Sequence, residues 1–189
     1  MISYSRVKRV ILATDDPTER KIRFMALLTS SLPKGGHRPV LAGGSAIEVY
    51  LDGTLRTGDM DIVYNVNALE GVLKTWKFSL GGGLRAWANE ELGLAVDMVG
   101  EDYSGSYDRV TTITTKYGPA TITGIEDLIV KRLASAKSWN TPTDIEQAFL
   151  LAKAHDDNID WDYIEDESQK GDIGDYLAKL KEMFAKSSK

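Results

Sequence analysis

The chain has 189 residues, a formal net charge of −5, no cysteine and only two histidines. This composition excludes a disulfide framework, thiol catalysis and thiolate metal sites, and it argues against a His-rich zinc site and against a protein that coats nucleic acid. No apolar run reaches the roughly 20 residues of a membrane span, and the N-terminus lacks a signal-peptide core, so we expect a cytoplasmic protein with no membrane partner.

The first elements predicted are a short strand and a helix. Residues 7–13, VKRVILA, are apolar enough for a short strand or a docking segment. The helix begins at Asp16, a suitable N-cap, with Pro17 at the first helical position and Glu19 completing a capping box. We expect this helix to end near Ser31, before a loop rich in glycine.

A glycine turn follows the first strand of the central unit, because the strand from Arg38 to Ala42 leads directly into Gly43-Gly44-Ser45. One interpretation is a turn whose backbone approaches a phosphate, with free N–H groups and the positive end of the next helix dipole facing the ligand. The alternative is a tight turn with a helix cap, since residues 45–48, SAIE, form a capping box.

The next strand carries two acids, because Asp59 and Asp61 stand on either side of Met60. Successive side chains of a strand alternate between its faces, so these carboxylates point the same way, about 6.5 to 7 Å apart. Since like charges repel one another, a divalent cation such as magnesium is the simplest partner for the pair. Thr57, just before them, either positions a metal ligand or a phosphate or is an ordinary threonine at a strand edge.

A third acid lies on a later apolar strand. The apolar run from Leu92 to Val99 is interrupted by Asp97. Before this run we predict a helix at residues 67–78, capped by Asn67, and a loop at Gly81-Gly82-Gly83. If this run lies beside the preceding acidic strand, three carboxylates converge as a two-metal phosphoryl-transfer site requires. Otherwise Asp97 pairs with a base or lies at a strand end.

The remainder of the chain changes from strands to helices. A hairpin is predicted at residues 110–123. Four helices are predicted after it, at residues 125–139, from residue 141 onward, at residues 160–167 and at residues 172–186. The predicted fold class is therefore α/β, or α+β. We expect an α/β catalytic core at residues 1–123 and a C-terminal helical region at residues 124–189 that packs on it.

Two groups of residues carry a resemblance to known families. The Gly43-Gly44-Ser45 turn, Asp59-Met60-Asp61 and Asp97 resemble the signature of the DNA polymerase beta-like nucleotidyltransferase superfamily. The segment EDLIVKRL at residues 126–133, with DIEQA at residues 144–148, is similar to the C-terminal part of small prokaryotic nucleotidyltransferases related to the AbiEii toxins of toxin–antitoxin systems. Together these segments cover roughly residues 38 to 150.

The resemblance implies a mixed sheet flanked by helices, with Mg²⁺ or Mn²⁺ held by Asp59, Asp61 and Asp97. It also implies that the turn at Gly43-Gly44-Ser45 contacts the phosphates of a nucleoside triphosphate such as ATP. The reaction would move a nucleoside monophosphate to an acceptor hydroxyl with loss of pyrophosphate.

AbiEii-like relatives place a lysine and a further aspartate at the active site, on helices after the sheet. By position these residues would be Lys131 and Asp144, with Lys137 as an alternative to Lys131. The structural interpretation is that Lys131 is a surface lysine and that Asp144 is a first-turn acid favoured by the helix dipole.

Three functions remain open at this point. The first is a nucleotidyltransferase whose acceptor is RNA such as a tRNA end, a protein or a small molecule, and which works with a cognate antitoxin or another partner protein. The second is a nucleotide-binding or antitoxin-like module that kept the fold and lost turnover. The third is a structural protein whose acids form salt bridges with Arg38, Arg56 or Arg85.

Overall fold

The computed structural model describes residues 1–81 and 85–187. The chain divides into two compact units, Met1–Thr123 and Gly124–Lys189. The first unit contains a mixed β-sheet flanked by helices, and the described part of the second consists of helices, so the predicted α/β class is confirmed. That the second unit packs on the first stays a prediction.

The described part of the first unit contains four α-helices and a seven-stranded sheet. The helices are α1 Tyr4–Leu12, α2 Pro17–Ser31, α3 Gly43–Tyr50 and α4 Val66–Thr75. The strands are β1 Val40–Ala42, β2 Met60–Val63, β3 Ser79–Leu80, β4 Ala86–Asn89, β5 Leu94–Gly100, β6 Thr111–Thr115 and β7 Gly118–Ile122. Their order across the sheet is β3-β4-β5-β2-β1-β7-β6.

The N-terminal segment is helical, and the short strand predicted at residues 7–13 is wrong. Val7, Val10 and Ile11 are buried at a spacing of three and four residues, which is the period of a helix rather than of a strand. The start of α2 is confirmed, because the Asp16 carboxylate accepts a hydrogen bond of 2.7 Å from the Glu19 N–H.

Three predicted boundaries need correction. The α4 cap is Asn65, which accepts a hydrogen bond of 3.0 Å from the Ala68 N–H, and Asn67 lies inside the helix. The first strand begins at Val40 rather than Arg38, since Pro39 has no N–H to donate. The strand that carries Asp97 begins after Gly93 rather than at Leu92, because Gly93 has a φ of +62°, which is not a strand conformation.

Gly82 and Gly83 of the predicted loop lie outside the described residues.

The sheet topology brings the glycine turn, at the end of β1, next to the acidic residues at the start of β2. Strand β1 is antiparallel to β2 and parallel to β7, while β2 is parallel to β5. Because β1 and β2 run in opposite directions, the end of β1 at Ala42 lies beside Asp61 near the start of β2. The predicted hairpin is confirmed by the antiparallel pairing of β6 and β7.

The two faces of β2 and β5 differ in burial. Met60 and Ile62 of β2 are fully buried, and Val96 and Met98 of β5 are also buried. Between them, Asp61 and Asp97 are half-buried and point to the opposite face. The strands therefore contribute apolar side chains to the core and leave their acids on a partly open surface.

Four α-helices make up most of the described part of the second unit. They are α5 Ile125–Trp139, α6 Pro142–Ala154, α7 Trp161–Lys170 and α8 Gly174–Ser187, which confirms the predicted helices with small shifts of their ends. The buried side of α5 carries Leu128, Ile129 and Leu133 at helical spacing. Across the described residues, no helix combines the length and the apolar character that crossing a bilayer would require.

Candidate active site

The candidate site centres on Asp61 and Asp97, which are direct partners in the parallel ladder between β2 and β5. Adjacent strands lie about 4.8 Å apart, and partner residues point to the same face of the sheet. The two acidic side chains therefore stand side by side on the partly open face. The strand that carries Asp97 thus lies beside the strand that carries Asp61, which was the condition for their side chains to converge.

Asp59 lies directly before β2 and is exposed. It lines a small cavity of about 120 Å³ together with Asp97, Trp87 and Val96. Within residues 1–81 and 85–187, no group of three or more histidine or acidic side chains is arranged to hold a metal ion. The convergence of all three acids on one cation therefore stays a prediction.

The chemistry of the Asp61 and Asp97 pair nevertheless suits magnesium. Mg²⁺ prefers oxygen ligands and is usually bound by one or two carboxylates together with substrate phosphates, rather than by a complete protein cage. Two neighbouring carboxylates on a half-open face provide such a partial ligand set. The remaining ligands would come from a bound triphosphate and from Asp59.

The glycine turn is pressed against the acidic residues. Gly43 has a φ of +56°, and a Cβ atom built on it would lie 1.7 Å from Asp61 Oδ2. A Cβ atom on Gly44 would lie 2.6 Å from Cγ2 of Thr57. Glycine is therefore favoured at position 43 by its backbone conformation and by space, and at position 44 by space alone, since a Cβ atom there would displace the Thr57 side chain.

The alternative interpretation of this turn as a capping box is wrong. Helix α3 begins at Gly43, so Ser45 and Glu48 lie inside it, and the helix has no side-chain cap at its N-terminus. Its first N–H groups are not satisfied by a capping side chain, which leaves the backbone at Gly43 and Gly44 suited to an anionic ligand.

A buried lysine connects α2 to the glycine turn. The Lys21 ammonium donates hydrogen bonds to Ser45 Oγ at 3.1 Å, to Glu48 Oε2 at 2.7 Å, and to the carbonyl and hydroxyl oxygens of Thr57 at 2.8 and 2.7 Å. Lys21 and Glu48 are 5% and 0% exposed, so the pair is removed from water. The lysine thus ties α2, α3 and the loop before β2 together.

Glu48 is held as a carboxylate by this network. It accepts hydrogen bonds from the Thr18 hydroxyl at 2.8 Å and from the Thr57 N–H at 2.9 Å, besides the one from Lys21. Burial raises the pKa of Glu48, but the hydrogen bonds from Lys21, Thr57 and Thr18 outweigh it and hold the pKa below its ordinary value. The charged form is therefore the stable one inside the protein.

The Ser45 and Thr57 hydroxyls face this network. They lie 2.8 Å apart, and the Ser45 hydroxyl also donates to the carbonyl oxygen of Asp59. Ser45 is 1% exposed. These hydroxyls fix the loop that carries Asp59, and their predicted contact with a phosphate stays a prediction.

The ion pair of Lys21 with Glu48 was not predicted, because Glu48 was assigned to a capping box, although a signal for the pair was present in the sequence. Lys21 lies three residues before Phe24 and three after Thr18, on the buried side of α2, and Glu48 interrupts the apolar pattern of α3. A lysine and a glutamate that each fall on an apolar helix face predict a buried ion pair.

The predicted Lys131 and Asp144 belong to the second unit. Lys131 is half-buried; burial lowers its pKa, and the charge of Asp127 offsets that only in part. The alternative, Lys137, is exposed and lies 3.2 Å from Asp172 Oδ2 and 3.5 Å from Asp175 Oδ1. Its surface contacts make Lys137 the weaker candidate.

Asp144 is engaged by neighbouring side chains. Arg132 Nη1 donates to one of its carboxylate oxygens and the Ser135 hydroxyl donates to the other, both at 2.9 Å. Asp144 lies in the first turn of α6 and is 8% exposed. These contacts support the structural interpretation, and a catalytic role for Asp144 stays a prediction.

In the part of the chain that the structure describes, Arg38, Arg56 and Arg85 form no salt bridge with Asp59 or Asp97. The structural alternative itself stays a prediction.

Comparison of the chain with protein-family models, with curated proteins and with solved structures gave no match.

Proposed function

We propose that the protein is a metal-dependent nucleotidyltransferase. It would move a nucleoside monophosphate from a nucleoside triphosphate such as ATP to an acceptor hydroxyl. The observation that supports this most strongly is the Asp61 and Asp97 pair, in register on adjacent strands and beside a turn in which Gly43 has a positive φ and contacts Asp61 too closely for a Cβ atom. Carboxylates next to a phosphate-binding backbone are the parts that phosphoryl transfer needs.

Each part of the site has a proposed role in this reaction. Asp61 and Asp97, with Asp59, would hold Mg²⁺ or Mn²⁺, which would neutralise the triphosphate charge and polarise its phosphorus–oxygen bonds. The Gly43 and Gly44 N–H groups would bind phosphate oxygens at the positive end of α3. The acceptor oxygen would form a bond to the α-phosphorus while the bond to pyrophosphate breaks.

The proton of the acceptor hydroxyl also needs a destination. A carboxylate such as Asp97 would accept it, or Lys131 would do so as a neutral amine. Burial lowers the pKa of Lys131, which is the direction that a role as a base requires.

The proposed acceptor is RNA such as a tRNA end, a protein or a small molecule. A role as the toxin of a cytoplasmic toxin–antitoxin pair, with a cognate antitoxin as partner, belongs to this proposal. The net charge of −5 disfavours an extended groove for nucleic acid, so an RNA acceptor would be held at its end only.

A labelling experiment tests the proposal. The protein is incubated with each of four α-labelled nucleoside triphosphates, magnesium, and total cellular RNA or protein as acceptor. We expect label to be transferred by the wild type and by the control D15N, which alters an exposed acid, and to be lost with D61N. Transfer that D61N retains would contradict the proposal.

A second candidate is the nucleotide-binding or antitoxin-like module without turnover. It is favoured by the position of Asp59, which is exposed and lies before β2, so that the sheet pairs only two of the three acids that turnover would use. Saturable binding of a nucleoside triphosphate by the wild type, with no transfer to any acceptor, would support this candidate over the enzyme.

A further inference from the structure

A second cavity lies in the first unit, where α2 ends and the loop before β1 begins. Its volume is about 410 Å³, and its walls include Leu32, Pro39 and Pro119 as apolar groups and Tyr64 as a polar one. Ligand sites usually occupy about 300 to 1,000 Å³ and combine apolar walls with a few polar groups. The cavity therefore has the size and the mixed lining of a small-molecule site.

The cavity lies away from the candidate active site. Pro39 directly precedes β1, and Tyr64 directly follows β2, whereas Gly43 and Asp61 lie at the other end of these two strands. A ligand in this cavity would therefore not compete with a nucleotide bound at the glycine turn.

Two exposed cations, Lys34 and Arg38, line this cavity. Neither has a salt bridge or a hydrogen bond to another side chain in the part of the chain that the structure describes. None of the residues lining the cavity is acidic. In a chain with a net charge of −5, this concentration of unpaired positive charge favours an anionic ligand.

Other polar side chains also line the cavity and could bind an anionic ligand. The His37 ring lines the cavity and is stacked on Tyr107, with 3.6 Å between the ring centroids and 9° between the planes, so its position is fixed. Thr29 and Ser30, at the end of α2, add two further polar side chains to the lining.

We propose that this cavity binds a small ligand with a terminal phosphate group. Arg38 and Lys34 would bind the phosphate, since a guanidinium fork and an ammonium are the usual cationic partners of phosphate oxygens. The apolar walls would cover the rest of the ligand. A small ligand fits better than a nucleic acid, because the site is concave and has two unpaired cations rather than an extended basic surface.

Calorimetry at low ionic strength in the presence of a chelator tests the proposal, with inorganic phosphate and AMP as probes. We expect saturable binding of both to the wild type and a loss of affinity of at least about tenfold in K34Q/R38Q, since the variant loses both charge-assisted hydrogen bonds to the phosphate. The control K153Q/K179Q removes two exposed lysine charges from α6 and α8 and should bind as the wild type does.

The variant D61N separates this proposal from the proposed catalysis. It should bind both probes unchanged, whether or not the protein transfers nucleotides. Binding lost in D61N would assign the probes to the catalytic site, and binding retained in K34Q/R38Q would place them elsewhere, so either result would overturn the proposal. Equal weakening in K153Q/K179Q, no saturable binding, or tighter binding of a pentanucleotide than of AMP would overturn it as well.

Discussion

Asp61 and Asp97 are partners in one parallel ladder, so two carboxylates lie side by side on the same face of the sheet. Like charges directly opposite one another on a sheet destabilise a protein by roughly 0.2 to 1 kcal/mol. A bound cation would reverse the sign of this contribution. The pair therefore links the stability of the sheet to the ligand that we propose.

The first prediction concerns Asp97. We expect D97N to stabilise the metal-free protein slightly, by up to about 1 kcal/mol, because it removes one of two neighbouring like charges. The same variant should lose the increase in melting temperature that magnesium with a nucleoside triphosphate gives the wild type. Thermal unfolding with and without these ligands measures both effects.

The control for this experiment is D15N, which alters an exposed acid outside the sheet. It should leave the response to magnesium unchanged. An equal response in D97N and in the wild type would show that Asp97 takes no part in cation binding.

The second prediction concerns the glycine turn. G43A places a Cβ atom within 1.7 Å of Asp61 Oδ2 and forces alanine to a φ of +56°, so Asp61 must move. We expect a loss of stability of at least about 1 to 2 kcal/mol from the backbone alone, and loss of nucleotide transfer. Chemical denaturation and the labelling assay measure these two effects.

Gly93 provides a matched control, because its φ of +62° is similar but a Cβ atom there would meet only the Arg20 side chain, at 3.9 Å. G93A should therefore carry the backbone strain without displacing an acid. If G93A impaired transfer as strongly as G43A, the contact with Asp61 would not be the cause.

The third prediction concerns pH. The pKa of Glu48 in the folded protein lies below its ordinary value of 4.5, so its contribution to stability is complete above that pH and is lost as the pH falls through the folded pKa. E48Q should cost about 3 kcal/mol near neutral pH, because it leaves Lys21 buried without its counter-charge. The difference from wild type should shrink in acid.

Urea unfolding between about pH 3 and pH 8 measures this dependence. E19Q is the matched control, since Glu19 pairs with Arg23 on the same helix but is exposed, and exposed pairs contribute about 0 to 1 kcal/mol. A stability difference between E48Q and wild type that did not depend on pH would contradict the assigned ionisation of Glu48.

The fourth prediction concerns Lys131. Its lowered pKa results chiefly from burial, which the charge of Asp127 offsets in part, so K131M should change the melting temperature only slightly. Transfer should fall by at least about 100-fold if this amine moves the proton. K131R keeps the charge but not the base and should not restore activity.

The pH profile distinguishes a catalytic lysine from a structural one. The wild-type transfer rate should rise with pH through the lowered pKa of Lys131, and this limb should be missing in K131R. K153M, at an exposed lysine of α6, should keep the wild-type profile. Lost transfer in K137M with normal transfer in K131M would favour the alternative lysine.

Local signals in the sequence were sufficient to predict the positions of many helices. Asp16 with Pro17 gave the start of α2, and the apolar spacing of Leu128, Ile129 and Leu133 gave α5. They failed at residues 7–13, where the apolar character of the segment suggested a strand although Val7, Val10 and Ile11 follow the period of a helix. Periodicity was the better guide there because the segment is buried on one side only.

The site itself was predictable only in part. The alternation of Asp61 with buried neighbours could be predicted from one strand, but its pairing with Asp97 depends on strand order, which no local signal determines. The contacts of Lys21 depend on how α2 packs, 24 to 36 residues away from its partners. Interactions of this range come from the tertiary structure.

The ion pair between α2 and α3 limits how far the protein can be shortened. A fragment that starts at residue 38 would contain the glycine turn and all three acids, yet its Glu48 would be left as an uncompensated charge. Such a truncated chain should not fold alone. Complementation with a synthetic peptide of residues 14–32 should restore it, so the smallest fragment that folds alone begins before α2.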